Sequence, residues 1–142
     1  MSVKDAPVIQ DEIHGDYTMI QFEPDLKKFK MDKLDDDIVS LMQKRVIDIA
    51  GVTNSSVTVY LNGKKLNVKG FKDYIEYYLK DEKLEGDIEY PKLYDNPNAR
   101  WEVMLSMTDS SCFSQISFCN SICTSKGGTH VNYIVDQVNN DK

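Results

Sequence analysis

The sequence is short of the residues that most often announce chemistry. It has three cysteines, two histidines and one tryptophan in 142 residues. An odd cysteine count, with no apolar leader over 1–7, argues against a disulfide-framed secreted module and leads us to expect reduced thiols inside the cell. No apolar run approaches the roughly 18–20 residues of a membrane-spanning helix. Internal repeats and low-complexity tracts are absent. Excess positive charge is missing too: 17 basic side chains face 23 acidic ones, a net charge of −6. Counterion release therefore gives the chain as a whole little drive toward sequence-independent DNA binding. The charge is uneven, however. Lys27, Lys28, Lys30 and Lys33 form one basic run and Lys64, Lys65, Lys69 and Lys72 another, while acidic residues crowd 81–95.

Complete active-site constellations are lacking as well. Lys126-Gly127-Gly128-Thr129 shares glycine and lysine with a phosphate loop. It lacks the Gly-Lys-Ser/Thr triplet and the glycine five residues ahead of it. Two readings stay open: the glycine pair presents N–H groups to an anion, or it makes the tight lead into a helix. Cys119, Cys123 and His130 supply three of the four ligands that structural zinc needs. A strand reading puts Cys119 on a pleated core face, which disfavours metal. Asp35-Asp36-Asp37 lacks the alternating spacing of a calcium loop. His14 stands alone in a lead-in, 1–16, that carries no periodicity.

What is present is ordinary α+β patterning, with 41% hydrophobic and 28% charged residues. Thr18, Ile20 and Phe22 alternate with polar or partly polar neighbours, which predicts a strand over 17–22. Asp35 is placed to cap a helix with Ile38, Leu41, Met42 and Ile49 as its buried stripe, Val46 at the margin and Gly51 just past its end. Residues 57–61 and 65–68 read as strands joined by Asn62-Gly63, the dipeptide suited to a type I′ turn. Phe71, Ile75, Tyr78 and Leu79 recur at helical spacing, predicting a helix over 71–80. Residues 81–98 read as a connection with a short strand near 88–94. Trp101, Val103, Leu105 and Met107 form a half-buried strand, with a turn at 109–111 and a partner strand over 113–120. A last helix carries Val131, Ile134, Val135 and Val138.

Several motifs, in order, resemble eukaryotic-type DNA topoisomerase II. They include Pro24-Asp25-Leu26, Asp48-Ile49-Ala50-Gly51 and Val59-Tyr60-Leu61-Asn62-Gly63-Lys64. Arg100-Trp101-Glu102-Val103, Gln115-Ile116-Ser117-Phe118, Asn120-Ser121-Ile122, Thr124 with Gly127-Gly128-Thr129-His130-Val131, and Asp136-Gln137 complete the series. The likeness spans nearly all of 16–138. It implies an α+β internal fragment: residues 1–82 as the C-terminal part of a GHKL ATPase domain and 83–142 as the N-terminal part of a transducer domain. Even the start at Met1 resembles internal sequence of the family. The family's parent enzyme uses ATP and Mg²⁺, works as a nuclear homodimer on duplex DNA, and closes an N-terminal gate. Its magnesium-ligating asparagine, general-base glutamate and phosphate loops lie upstream of the matched segment, and its γ-phosphate lysine lies downstream. Its DNA-attacking tyrosine follows an arginine, whereas Arg45 and Arg100 here precede Val46 and Trp101. No catalytic, cofactor-binding or metal-binding residue carries over, so the fragment is expected to be inactive alone and to need no cofactor. Asn120, Thr124, Gly127, Gly128, Thr129 and His130 carry over as a transducer loop with a structural or coupling role. The expected partners are the rest of the topoisomerase chain and no membrane. The alternative is a free-standing module that pairs with a full-length subunit.

Overall fold

The computed structural model describes residues 6–8, 15–80, 83–84, 88–108 and 112–140. The chain divides into two compact units, 1–34 and 35–142. His14, most of the lead-in and the turn expected at 109–111 lie outside the described residues.

In the first unit the strand expected over 17–22 does not form; residues 17–23 carry no regular structure. Ile20 and Phe22 are 85% and 73% exposed. Alternation provides a face, but a strand also needs a neighbour to complete its ladder. The described part of this unit offers only a coiled turn at 26–30. That turn is tied by the Asp25 carboxylate, which accepts from Lys28 N–H at 3.2 Å, and by Met31 N–H donating to Leu26 C=O at 2.9 Å.

The second unit opens with α1, Asp36–Val52. Asp35 caps it as expected, its Oδ1 accepting from Ile38 N–H at 2.8 Å. Asp36 and Asp37 add negative charge at the positive end of the helix dipole. Asp35→Ala should cost about 1 kcal/mol, read as a lowered denaturant midpoint at unchanged slope; an unchanged midpoint would mean the cap contributes nothing.

The face that α1 buries is a correction to the sequence reading. Leu41, Met42 and Ile49 of the expected stripe are exposed. The inward side carries Ile47, Asp48, Ala50 and Gly51 instead. Gly51 does not follow the helix but lies within it, and Thr53 ends it by donating N–H and Oγ1–H to Ile49 C=O. The reason is size. α2, Phe71–Leu79, packs against α1, and a Cβ on Gly51 would stand 2.5 Å from Tyr74 Cγ. Only a glycine lets the tyrosine ring come this close, so the small residues, not the large ones, choose the buried side.

Between the helices, β1 (Tyr60–Leu61) and β2 (Lys64–Lys65) form the expected hairpin. Asn62 and Gly63 both take positive φ, 50° and 76°, as a type I′ turn requires. Leu66 N–H donating to Val59 C=O at 2.9 Å extends the pairing. Ala50, Val68 and Tyr74 form the buried core, with Val59, Leu66, Phe71, Ile75, Ile116 and Phe118 packed around it.

Residues 81–98 are more strand-rich than expected. β3 (Lys83–Leu84) pairs with β4 (Ile88–Glu89), and β5 runs over Lys92–Asn98. β6, Trp101–Ser106, pairs antiparallel with β5 rather than with 113–120. The two-residue turn between Asn98 and Trp101 closes this hairpin locally, at about 1 kcal/mol less loop-closure cost than bridging to 113. A register shift between Asp95 and Asn98 accommodates Pro97, which has no N–H to give. Trp101 is half-buried, tilted against Tyr133 with ring centroids 6.1 Å apart. Of 113–120 only Phe118–Cys119 is strand, β7, paired with β8, Ile122–Cys123. Helix α3, Thr129–Asn140, closes the unit.

Candidate functional site

The six motif residues occupy one stretch, from the β7–β8 turn to the first turn of α3. At the turn, Asn120 and Ser121 both adopt left-handed φ, 48° and 66°. Asparagine tolerates this region better than most side chains, which explains its place there. The pairing puts Phe118 opposite Cys123, both half-buried, and exposed Cys119 opposite exposed Ile122. Cys119 is therefore not on a core face, contrary to the strand reading. Its side chain and that of Cys123 point to opposite sides of the ribbon. Among the described residues no group of His, Cys, Asp and Glu is arranged to hold a metal.

Thr124 is the hub of the stretch. Its N–H donates to Ser117 C=O at 2.8 Å. Its own C=O accepts from Gly127 N–H at 2.8 Å, from Ser117 Oγ at 3.1 Å and from Gln115 Nε2 at 3.4 Å. Its Oγ1 lies 2.5 Å from Ser117 Oγ and 3.2 Å from His130 Nε2. Gly127 takes φ of 75° to make this turn. The Gly128 C=O then receives Val131 N–H and Asn132 N–H, so Gly128 starts α3. A Cβ there would meet the His130 ring at 3.0 Å.

Thr124, Gly127 and His130 are thus joined by hydrogen bonds, with Gly128 between them at the start of α3. Asn120 sits apart, at the tip of the β7–β8 ribbon, and Thr129 is exposed at the start of α3. Because Gly127 N–H is engaged by Thr124, of the two readings of this loop the tight lead into a helix fits better than an anion cradle. Sequence reasoning placed Ser117 and Gln115 in the motif series but gave them no part in the loop. Their two-residue spacing was the available signal: a strand-like pattern sets both on the side facing Thr124.

A second polar cluster was not foreseen. Asp48 is 4% exposed on the inner face of α1. Its carboxylate accepts from Lys44 Nζ at 2.8 and 3.0 Å, from Arg45 Nη1 at 3.3 Å and from Tyr74 Oη at 2.7 Å. Tyr74 Oη also lies 3.0 Å from Tyr78 Oη. Burial works against the charged carboxylate, but the hydrogen bonds from Lys44 and Tyr74 and the charges of Lys44 and Arg45 outweigh it and lower the Asp48 pKa. Burial, with the Tyr78 and Asp48 contacts, raises that of Tyr74 far above the usual phenol value. Aspartate carries no hydrophobic signal, so periodicity alone could not place it inside.

Between β6, residues 113–118 and α3 lies a cavity of about 310 Å³. Its walls include Val103, Leu105, Ile116, Val131 and Ile134, with His130 at one side.

Comparison with known proteins places this architecture. The family model described as DNA gyrase B matches residues 70–140. DNA topoisomerase 2-alpha of Homo sapiens is 54% identical over 123 residues, 87% of this chain and 8% of that protein. DNA topoisomerase 2-beta of Gallus gallus is 52% identical over 132 residues, 93% of this chain and 8% of its own length. The crystal structure of the ATPase region of Saccharomyces cerevisiae topoisomerase II superposes with a TM-score of 0.69 at 50% identity, covering 81% of this chain and 28% of that one. The fold is therefore that of a segment of a type II topoisomerase ATPase region, and the chain belongs to the DNA gyrase B family as a eukaryotic-type topoisomerase II sequence. It spans under a tenth of the length of the curated relatives it matches.

Proposed function

We propose that this chain is part of the ATP-operated N-terminal gate of a DNA topoisomerase II that passes one duplex through a break in another. Residues 1–82 would contribute the end of the GHKL ATPase domain and 83–142 the start of the transducer. The observation that carries the reading is the superposition on the yeast ATPase region, at 50% identity over 81% of this chain. The same kinship supports a nuclear location, a homodimeric parent and duplex DNA as its partner.

ATP and Mg²⁺ belong, on this reading, to the parent enzyme. The described residues do not fit them: no cluster of acidic or histidine side chains is arranged for a cation, the walls of the 310 Å³ cavity are mainly apolar, and Gly127 N–H is engaged within its own loop. The fragment itself is then inactive. Calorimetry of the purified 142-residue chain with Mg²⁺ and a non-hydrolysable ATP analogue should show no binding. Micromolar binding would overturn this part of the reading and direct attention to residues 126–130.

The role proposed for Asn120, Thr124, Gly127, Gly128, Thr129 and His130 is to hold the ATPase–transducer junction in one geometry. Thr124 makes six hydrogen bonds, to Ser117, Gln115, Gly127 and His130, and the one to His130 reaches α3. In the full-length enzyme, Gly128→Leu would drive a side chain into the His130 ring. Strand passage should then fall while ATP turnover persists; normal ATP-dependent relaxation by this variant would refute the coupling role.

A further inference from the structure

The chain is acidic overall, yet it has no acidic side chain between Asp48 and Asp73. That stretch carries Lys64, Lys65, Lys69 and Lys72, all exposed. Among the described residues the ammonium groups of Lys64, Lys65 and Lys69 make no ion pair, and that of Lys72 lies 5.8 Å over the Tyr94 ring. The β1–β2 ribbon holds the first two in a defined way. Lys65 stands opposite Tyr60 and Lys64 opposite Leu61. Neighbouring residues of a strand point to opposite faces, so one ammonium group flanks each side of the ribbon tip. The tip itself, Asn62-Gly63, is exposed and narrow, and nothing fills the space around the Gly63 α-carbon.

We infer that the β1–β2 ribbon, with Lys64 and Lys65 as its two arms and Lys69 beside it, is a contact surface for the phosphate backbone of duplex DNA. The major groove of B-DNA is wide enough for a two-stranded ribbon, and a ribbon with a cation on each face meets both phosphate walls. Lysine and asparagine side chains are common phosphate contacts. Lys69 extends the same charge away from the tip. The net charge of the chain does not oppose this, because the screening length near physiological salt is only about 8 Å. The local charge of the ribbon therefore decides. The choice of DNA as the polyanion rests on the topoisomerase reading; the location of the surface rests on the ribbon.

The test is fluorescence anisotropy of a labelled duplex titrated with the full 142-residue chain, across about 50–200 mM salt. The double variant Lys64→Gln/Lys65→Gln should raise Kd by about fivefold or more and lower the salt slope by about 1.8, since each lost phosphate contact removes ~0.9. Lys64→Arg/Lys65→Arg should retain binding, and both variants should melt like the parent because the side chains are exposed. Lys27→Gln/Lys28→Gln removes the same charge elsewhere and should leave Kd within about twofold. An equal loss in that control, equally tight binding of polyglutamate or of an A-form RNA duplex, or no DNA binding by the parent chain would each overturn the proposal. None of these results touches the gate reading, which stands or falls on the nucleotide calorimetry and the Gly128 variant.

Discussion

Tyr74→Ala should remove about 3–5 kcal/mol of stability, the usual cost of deleting a fully buried aromatic ring. Small domains are stable by only about 5–15 kcal/mol, so this one change should remove a large share of the total. The reason lies in what meets at the ring. Tyr74 is 1% exposed. It packs edge-on to Phe118 with centroids 5.6 Å apart and to Tyr78 at 5.3 Å. Its near side rests on Gly51 of α1. The ring therefore ties α1 and α2 to residues 116–118, just ahead of the Thr124 hub. Tyr74→Phe keeps the packing and removes only the hydroxyl, so its cost should be nearer 1.5–3 kcal/mol, about that of a hydrogen bond to a charged group. Equilibrium urea unfolding of the two variants reads both numbers. A loss below about 1 kcal/mol for Tyr74→Ala would mean that the ring is not the centre of this core.

The second large effect is the pH dependence set by Asp48 and Tyr74. The Asp48 pKa is lowered on folding from its ordinary 3.8. A depressed carboxylate contributes stability that is present above the unfolded pKa and lost as pH falls through the lower folded value. The Tyr74 pKa is raised above its ordinary 10.0. A raised group contributes stability that is intact below the unfolded value and declines as pH climbs past it. Stability should thus be flat across neutral pH, falling below about pH 4 and again above about pH 10. Asp48→Asn should flatten the acid arm and, by weakening the contact to Lys44, Arg45 and Tyr74, cost about 1–3 kcal/mol at pH 7. Tyr74→Phe should flatten the alkaline arm. Denaturant midpoints measured from pH 3 to 11 check both signs, and an acid arm unchanged in Asp48→Asn would show that the shift arises elsewhere.

The two clusters bear on the gate proposal through their positions. Asp48 and Tyr74 lock α1 to α2, within residues 1–82. The Thr124 hub locks the β7–β8 ribbon to α3, within 83–142. Phe118 belongs to that ribbon and touches the Tyr74 ring. One aromatic contact thus lies between the two clusters. Leu41, Met42 and Ile49 leave an apolar face of α1 exposed.

Local chemistry was legible from the residues. The Asp35 cap, the Asn62-Gly63 turn, the helices at 71–79 and 129–140 and the strand from Trp101 each depend on neighbours within a few positions, and each formed. Motif order was legible as well, and the comparisons bear out the family that it indicated. Tertiary structure decided what local rules leave open. The period of α1 allowed two buried faces; Gly51 and Ala50 settled the matter, because close approach to Tyr74 gains more than burying Leu41 or Met42 against nothing. The partner of β6 was a choice between two neighbouring segments, and the shorter loop won. The strand expected at 17–22 had the right alternation but no partner strand among the described residues of its unit. Asp48 went inside because Lys44, Arg45 and Tyr74 were all there to meet it, a constellation spread over two helices that no window along the chain contains. The Thr124 hub likewise needed Gln115 and Ser117 folded back across the β7–β8 ribbon. Sequence alone determined the family and the locally specified elements; which strands pair, which faces meet, and hence which residues hold the loop, followed from packing, where contacts between distant residues compete and only the whole chain sets the outcome.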